Sequence, residues 1–279
     1  MKHRTPASIL HLLVMLPMFV YGQVSDFKPE SLRKIDVIEH LGETIPGDIP
    51  MLDAEGKMVQ LSQYLNQGRP LIVAMAYYEC PMLCTMVLNG LAKSVNTLEW
   101  HPGEEFQILT VSIDPDETAE LARGKEDVYR RELGENPHPE AWKFHVSDTA
   151  SINRLADALG FVYYYDEDQD EFAHPAVLMV LTADGTISRY LYGLEPSTQD
   201  LKFALLEASE GKIGNTLDRL LLYCYHYDSQ AGTYSVQAAN VMRLGGLVTV
   251  MVLGFVLGIL FWHDRTSRSQ VAAVSKEKR

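Results

Sequence analysis

Residues 244–262, LGGLVTVMVLGFVLGILFW, carry no charged side chain. A run of that length and apolarity has no polar face to give to water, and it is long enough to cross a hydrocarbon core as a single helix. The sequence therefore predicts one C-terminal span with everything folded on one side of it. Beyond Trp262 come Arg265, Arg268, Lys276, Lys278 and Arg279 against only Asp264 and Glu277, whereas upstream of Arg243 the nearest cation is Arg219. Positive residues stay inside, so residues 263–279 are expected as a basic cytoplasmic tail. At the other end, Lys2, His3 and Arg4 precede an apolar stretch from Ile9 to Val20 and a glycine at 22, which reads as a secretory signal over residues 1–22. The expected location is a bacterial inner membrane, with the domain facing the periplasm.

Between signal and span, about 220 residues are enough for one domain with a substantial core. The formal net charge is -13, which argues against nucleic acid as a partner and suits a basic protein or a cation. Residues 23–43 are polar with scattered apolar positions and are expected as a lead-in segment that packs late or stays mobile. The domain is expected over 44–212. It starts with a turn at Asp53–Gly56 and a short helix around Leu61–Leu65, and then LIVAMAY from Leu71 reads as a buried central strand. Further strands are predicted in EEFQILTVSID and WKFHVS, and helices in ETAELARGKEDVYRREL and TASINRLADALG. The second of these is expected to be capped by Thr149 or Ser151 and closed by Gly160. A hairpin around Ala183–Asp184–Gly185 and a final helix in DLKFALLEASEGK complete the pattern. Alternating strands and helices with a late antiparallel hairpin predict an α/β/α sandwich with a mixed sheet.

Two cysteines, Cys80 and Cys84, stand four positions apart where the LIVAMAY strand gives way to a helix carrying Met86, Val87, Leu91, Val95 and Leu98 at helical spacing. Functional groups gather at the carboxyl ends of strands in open α/β sheets, and a thiol at a helix start has its thiolate favoured. Residues i and i+4 share a helix face, so the sulfurs are placed to form a disulfide, work as a redox couple or share a metal ion. Soft thiolates suit Cu(I), Zn or iron–sulfur chemistry. Structural zinc and iron–sulfur clusters want more ligands than this pair supplies, which leaves Cu(I) as the best match to a sparse site. A third ligand would come from elsewhere, and His174, in the loop before PAVLMV, is the candidate.

These features together resemble the Sco/SenC family of thioredoxin-fold copper chaperones. The resemblance runs over roughly residues 42–210 and rests on LGETIPGDIPMLDAEGKMVQLSQY, on Y-x-x-C-P-x-x-C at Tyr77–Cys84, on SIDP at Ser112–Pro115, and on the histidine before a strand–turn–strand at His174–Gly185. It implies a thioredoxin-like fold holding copper, as Cu(I) with Cu(II) as its oxidised form, through Cys80, Cys84 and His174. It also implies delivery to the dinuclear copper centre in the copper-bearing subunit of cytochrome c oxidase, or to a related copper enzyme, and reduction of the recipient's cysteines. A copper donor protein is implied upstream. Asp114 falls at a family position near the copper and is carried over as a supporting group. Familiar family members are anchored by their N-terminus, a departure that leaves the recipient open. Two rival functions remain: a thiol–disulfide oxidoreductase or thiol peroxidase using Cys80 and Cys84, and a copper-responsive sensor.

Met75, Met82 and Met86 flank the thiols, and packing is their expected role. The acidic run Asp166–Glu171 is expected as a solvated loop, with a docking surface for a basic partner as the alternative. In the membrane-proximal segment, 213–243, Cys224 and His226 would share a face if the backbone is extended and point apart if it is helical. An auxiliary copper or redox site competes there with a buried packing cysteine. His40, His101, His138 and His145 have no partner in the sequence and are expected to be structural or solvated.

Overall fold

A computed structural model of the chain describes residues 35–80, 82–134, 137–210, 225–228, 233–236 and 238–277. The expected signal over 1–22, most of the lead-in segment and Cys224 lie outside the described residues. Asp36–Val37 (β1) opens the fold. Pro50–Leu52 (β2) and Met58–Gln60 (β3) pair antiparallel across the expected turn. There the Asp53 carboxylate accepts the N–H groups of Glu55 at 3.0 Å and Lys57 at 2.8 Å, an Asx-type closure. The short helix expected over Leu61–Leu65 is a single 3₁₀ turn, Leu61–Gln63.

Leu71–Ala76 (β4) is buried at every position and leads to Leu83–Asn96 (α1). Gln107–Ser112 (β5), Ala119–Glu132 (α2), Trp142–His145 (β6) and Thr149–Leu159 (α3) follow. The start of α3 corrects the sequence reading: the cap is Asp148, whose carboxylate accepts the Ser151 N–H at 3.0 Å, and neither Thr149 nor Ser151 takes that place. Several capping residue types stand side by side in SDTAS, and the extended backbone at Asp148 selects among them. Gly160 closes the helix in the left-handed conformation, as expected.

Phe161–Val162 (β7) pairs with β1, so the end of the lead-in segment is part of the fold. Tyr164–Asp166 (β8) and Glu171–Ala173 (β9) form a small hairpin, and the acidic run makes its exposed turn over 167–170, solvated as expected. Val177–Leu181 (β10) and Ile187–Tyr192 (β11) are the predicted late hairpin, and Thr198–Ala208 (α4) is the predicted closing helix. The sheet order is β11-β10-β4-β5-β6; β4, β5 and β6 run parallel and β10 antiparallel to both its neighbours. With α2 against β6, α4 against β10 and β11, and α1 against α2 and α4, this is the expected thioredoxin-like sandwich around a mixed sheet. Trp142, Phe144, Phe106 and Tyr190 fill its core.

Tyr225–Asp228 (β12) and Thr233–Val236 (β13) form a further hairpin, which packs on α4. Phe203 lies 5.0 Å from the Tyr225 ring and 5.3 Å from that of Tyr234. The Tyr234 N–H donates to Asp200 at 2.9 Å, and its hydroxyl donates to Glu207. Ala238–Glu277 (α5) is the last element. Its segment Ala239–Ile259 has a mean hydropathy of 2.0 and is not buried by any of the described residues, so the C-terminal helix is long and apolar enough to span a bilayer. It continues through most of the basic tail, since no glycine or proline follows Trp262.

Candidate metal centre

The register that sets Met179 of β10 opposite Val73 of β4 runs the start of β10 alongside the end of β4. The turn after β4 carries Cys80, the first turn of α1 carries Cys84, and the loop before β10 carries His174. The ligand atoms of these three residues lie within 4.8 Å of one another, and all three residues are buried. Cys84 Sγ and His174 Nε2 are 2.9 Å apart. His174 Nδ1 stands 3.0 Å from the Pro175 carbonyl. A carbonyl can only accept, so the ring proton is on Nδ1 and Nε2 turns its lone pair toward the sulfurs. Among the described residues no other cluster of this kind occurs.

The start of α1 has no side-chain cap from Met82; the Cys80 sulfur accepts the Cys84 N–H at 3.3 Å in its place. Hydrogen bonds from the Cys84 thiol and from the N–H groups of Cys84 and Met82 outweigh burial and push the Cys80 thiol down to about 3. Cys84 moves the opposite way, because it gives its proton to Cys80, is buried and faces the Cys80 charge. The free pair thus holds one thiolate and one thiol at neutral pH. Both cysteines are reduced.

Two aromatic rings wall the imidazole, and a third backs one of them. Phe161 lies 5.9 Å from it and Tyr77 meets it edge-on at 6.2 Å, with Phe172 of β9 packed 5.6 Å from Tyr77. The small hairpin that carries the acidic turn is what brings Phe172 there. The phenol of Tyr77 is raised by burial and by its hydrogen bond to Cys80.

Glu117 is a supporting residue that the sequence reading missed. It is buried, and one carboxylate oxygen accepts the N–H groups of Tyr78 at 2.5 Å and Glu79 at 2.8 Å, while the other accepts the Ser112 hydroxyl at 2.5 Å. The Tyr77–Cys80 turn is pinned this way to the end of β5. Burial raises the Glu117 carboxyl above its ordinary range. Asp114, carried over from the family pattern, is not in the sulfur–imidazole cluster. Its carboxylate accepts the Asp116 N–H at 2.9 Å, and it lines an open cleft of about 710 Å³ with Tyr77, Glu79, Asp116, Asp170 and Glu171. Tyr77 thus stands between this acidic cleft and the thiols. His226 lies in β12 opposite Ser235, in the extended backbone; its expected partner Cys224 is outside the described residues.

The SCO1/SenC family model matches residues 41–204. The mitochondrial SCO2 homolog of Bos taurus is 28% identical over 154 residues, covering 52% of this chain and 52% of that protein. The Homo sapiens protein of the same description is 27% identical over 165 residues, covering 56% of each. The chain therefore spans about half the length of these curated relatives. Among solved structures, a candidate electron transfer protein from Aquifex aeolicus VF5 superposes with a TM-score of 0.55 at 27% identity, over 62% of this chain and 96% of that one. By the family match, which covers more than half of its length, the chain belongs to the SCO1/SenC family.

Proposed function

We propose that this protein is a membrane-anchored copper metallochaperone. In this reading it holds one Cu(I) through Cys80, Cys84 and His174, takes it from a copper donor protein, and hands it to the copper-bearing subunit of cytochrome c oxidase or another respiratory copper enzyme. The observation that carries the proposal is the third donor: an imidazole nitrogen lies 2.9 Å from one of two buried sulfurs, with all three ligand atoms within 4.8 Å. Two soft sulfurs and one imidazole match a soft cation, and dithiol exchange has no use for the imidazole. The pair's single proton is released as the ion binds. Family membership supports the reading. The carboxylates beside Tyr77 would steer a basic donor or recipient toward the site. Helix α5 would anchor the domain in the inner membrane, with the domain on the periplasmic side.

A thiol–disulfide exchange role draws on one specific observation, the Cys80 sulfur accepting the Cys84 N–H at 3.3 Å at the start of α1, a position that favours its thiolate. Its thiolate would attack a disulfide of the recipient and release one recipient thiolate. Cys84 would then attack the Cys80 sulfur of the mixed disulfide and expel the recipient's second thiolate, leaving the recipient as a dithiol and this chain with a Cys80–Cys84 disulfide.

Anaerobic Cu(I) titration of the reduced full-length protein in detergent separates the two roles. His174→Ala should weaken Cu(I) binding by more than about 100-fold, beyond what loss of an outer hydrogen-bond partner costs, while both cysteines still oxidise to a disulfide. Unchanged affinity would remove His174 as a ligand and favour the exchange role.

A further inference from the structure

The methionines around the site divide sharply. Met75 is 3% exposed and belongs to the core, whereas Met82 is 67% exposed and Met86 44%. Packing, the role expected for all three, holds for Met75 alone. A single exposed apolar side chain is ordinary surface, but these two are set apart by position. Met82 lies in the loop between the cysteines, and Met86 follows one turn later. The Met86 N–H donates to the Met82 carbonyl at 3.0 Å, so the two residues are tied together across the first turn of the helix. Cys84, between them in sequence, is 2% exposed and turns inward to His174. One helical turn therefore shows two thioethers to solvent and one sulfur to the interior.

An ion arriving at this protein meets a problem of access, because the three buried donors are almost wholly covered: Cys80 is 9% exposed and His174 4%. The cleft on the Tyr77 side offers carboxylates, hard oxygen donors that are poorly matched to Cu(I). Thioethers are soft, neutral and flexible, with no proton to lose. On the Met82 side a soft ion meets a weak exposed pair before a strong buried one.

We infer that Met82 and Met86 form an entry site for Cu(I), which holds the ion briefly at the surface and passes it to Cys80, Cys84 and His174. The inference rests on the copper reading above. The step is ligand exchange: thioether–copper bonds break as thiolate–copper bonds form, the proton kept by the cysteine pair leaves to water, and no electron moves.

The test follows the speed of loading. Reduced full-length protein in detergent is mixed rapidly with the coloured Cu(I)–bicinchoninate complex, and loss of colour is recorded. In the Met82→Leu/Met86→Leu double variant, which keeps apolar bulk and removes both sulfurs, capture should slow about tenfold, within the range that single interfaces show for association rates. Met58→Leu, which alters an exposed methionine outside this turn, should load at the wild-type rate. Loading of the double variant at the wild-type rate overturns the entry site. Failure of the wild type to load at all overturns the copper reading instead, so the two failures are told apart within one data set. A second measurement does not depend on how the double variant folds. In Cys80→Ser/Cys84→Ser protein with ¹³C-methyl methionine, Ag(I) should shift the methyl signals of Met82 and Met86; signals that stay in place overturn the inference.

Discussion

Two histidines show how far a ring's surroundings decide its work. His174 gives its Nδ1 proton to a carbonyl and is left with a lone pair facing sulfur, whereas His145 lies wholly buried with Nε2 2.7 Å from the Tyr64 hydroxyl. His145 Nδ1 finds no partner among the described residues. Burial pushes the His145 pKa down to about 3. The folded ring stays neutral while an unfolded one takes up a proton below about 6.5, so the unfolded state binds more protons between these values. Stability should therefore fall as pH drops from 6.5 toward 3, by up to a few kcal/mol. Urea unfolding of the protein at pH 7 and pH 4, with His145→Gln as comparison, checks this; equal pH dependence in both would clear His145 of the effect. The cysteines and His174 could be singled out in the sequence because donor type and the strand-to-helix seam are local patterns. Glu117 could not, since its acceptor role serves a turn 38 residues away along the chain. The exposure of Met82 and Met86 was hidden for a different reason: the apolar spacing of α1 places both near its buried stripe.

At the level of elements, the pairing of β1 with β7 depends on the end of α3 beside it. β1 is held by a glycine: the Ile38 N–H donates to the Gly160 carbonyl at 2.8 Å. A Cβ on Gly160 would come within 1.8 Å of the Ile38 carbonyl oxygen. Gly160→Ala therefore combines left-handed strain at φ 65° with expulsion of residues 36–38, and should cost at least about 2 kcal/mol. Thermal unfolding would show it as a lowered midpoint, with β1 opened to protease; a midpoint within error of wild type would mean that β1 contributes little. The glycine's capping role was legible from its position after the helix, but the close approach was not, because it joins segments far apart in the chain. The same limit explains the β8–β9 hairpin. Its acidic residues predict solvation, and the pairing Tyr165 opposite Phe172 becomes visible only once the core supplies Tyr77 for Phe172 to pack on.

At the scale of the whole molecule, hydropathy made the last helix legible but not its full length: apolarity stops at Trp262 while the helix runs on to Glu277. For the proposed topology, protease added outside the cytoplasmic membrane should digest the sandwich and spare a fragment containing residues 244–262; an intact sandwich would reverse the assignment. The hairpin β12–β13 bears on how the domain would meet the recipient proposed for it. A flexible tether of n residues lets a domain wander over about 5–6 Å × √n, sampling many heights above a bilayer. Here Tyr234 is fastened to Asp200 and Glu207 of α4, and a single residue separates β13 from α5. Reach is then set by the scaffold, so the cysteine loop would sweep a narrow band above the membrane. Only acceptors that display their metal site at that height would feel a high local concentration of the donor, and altitude would select partners before any surface contact is made.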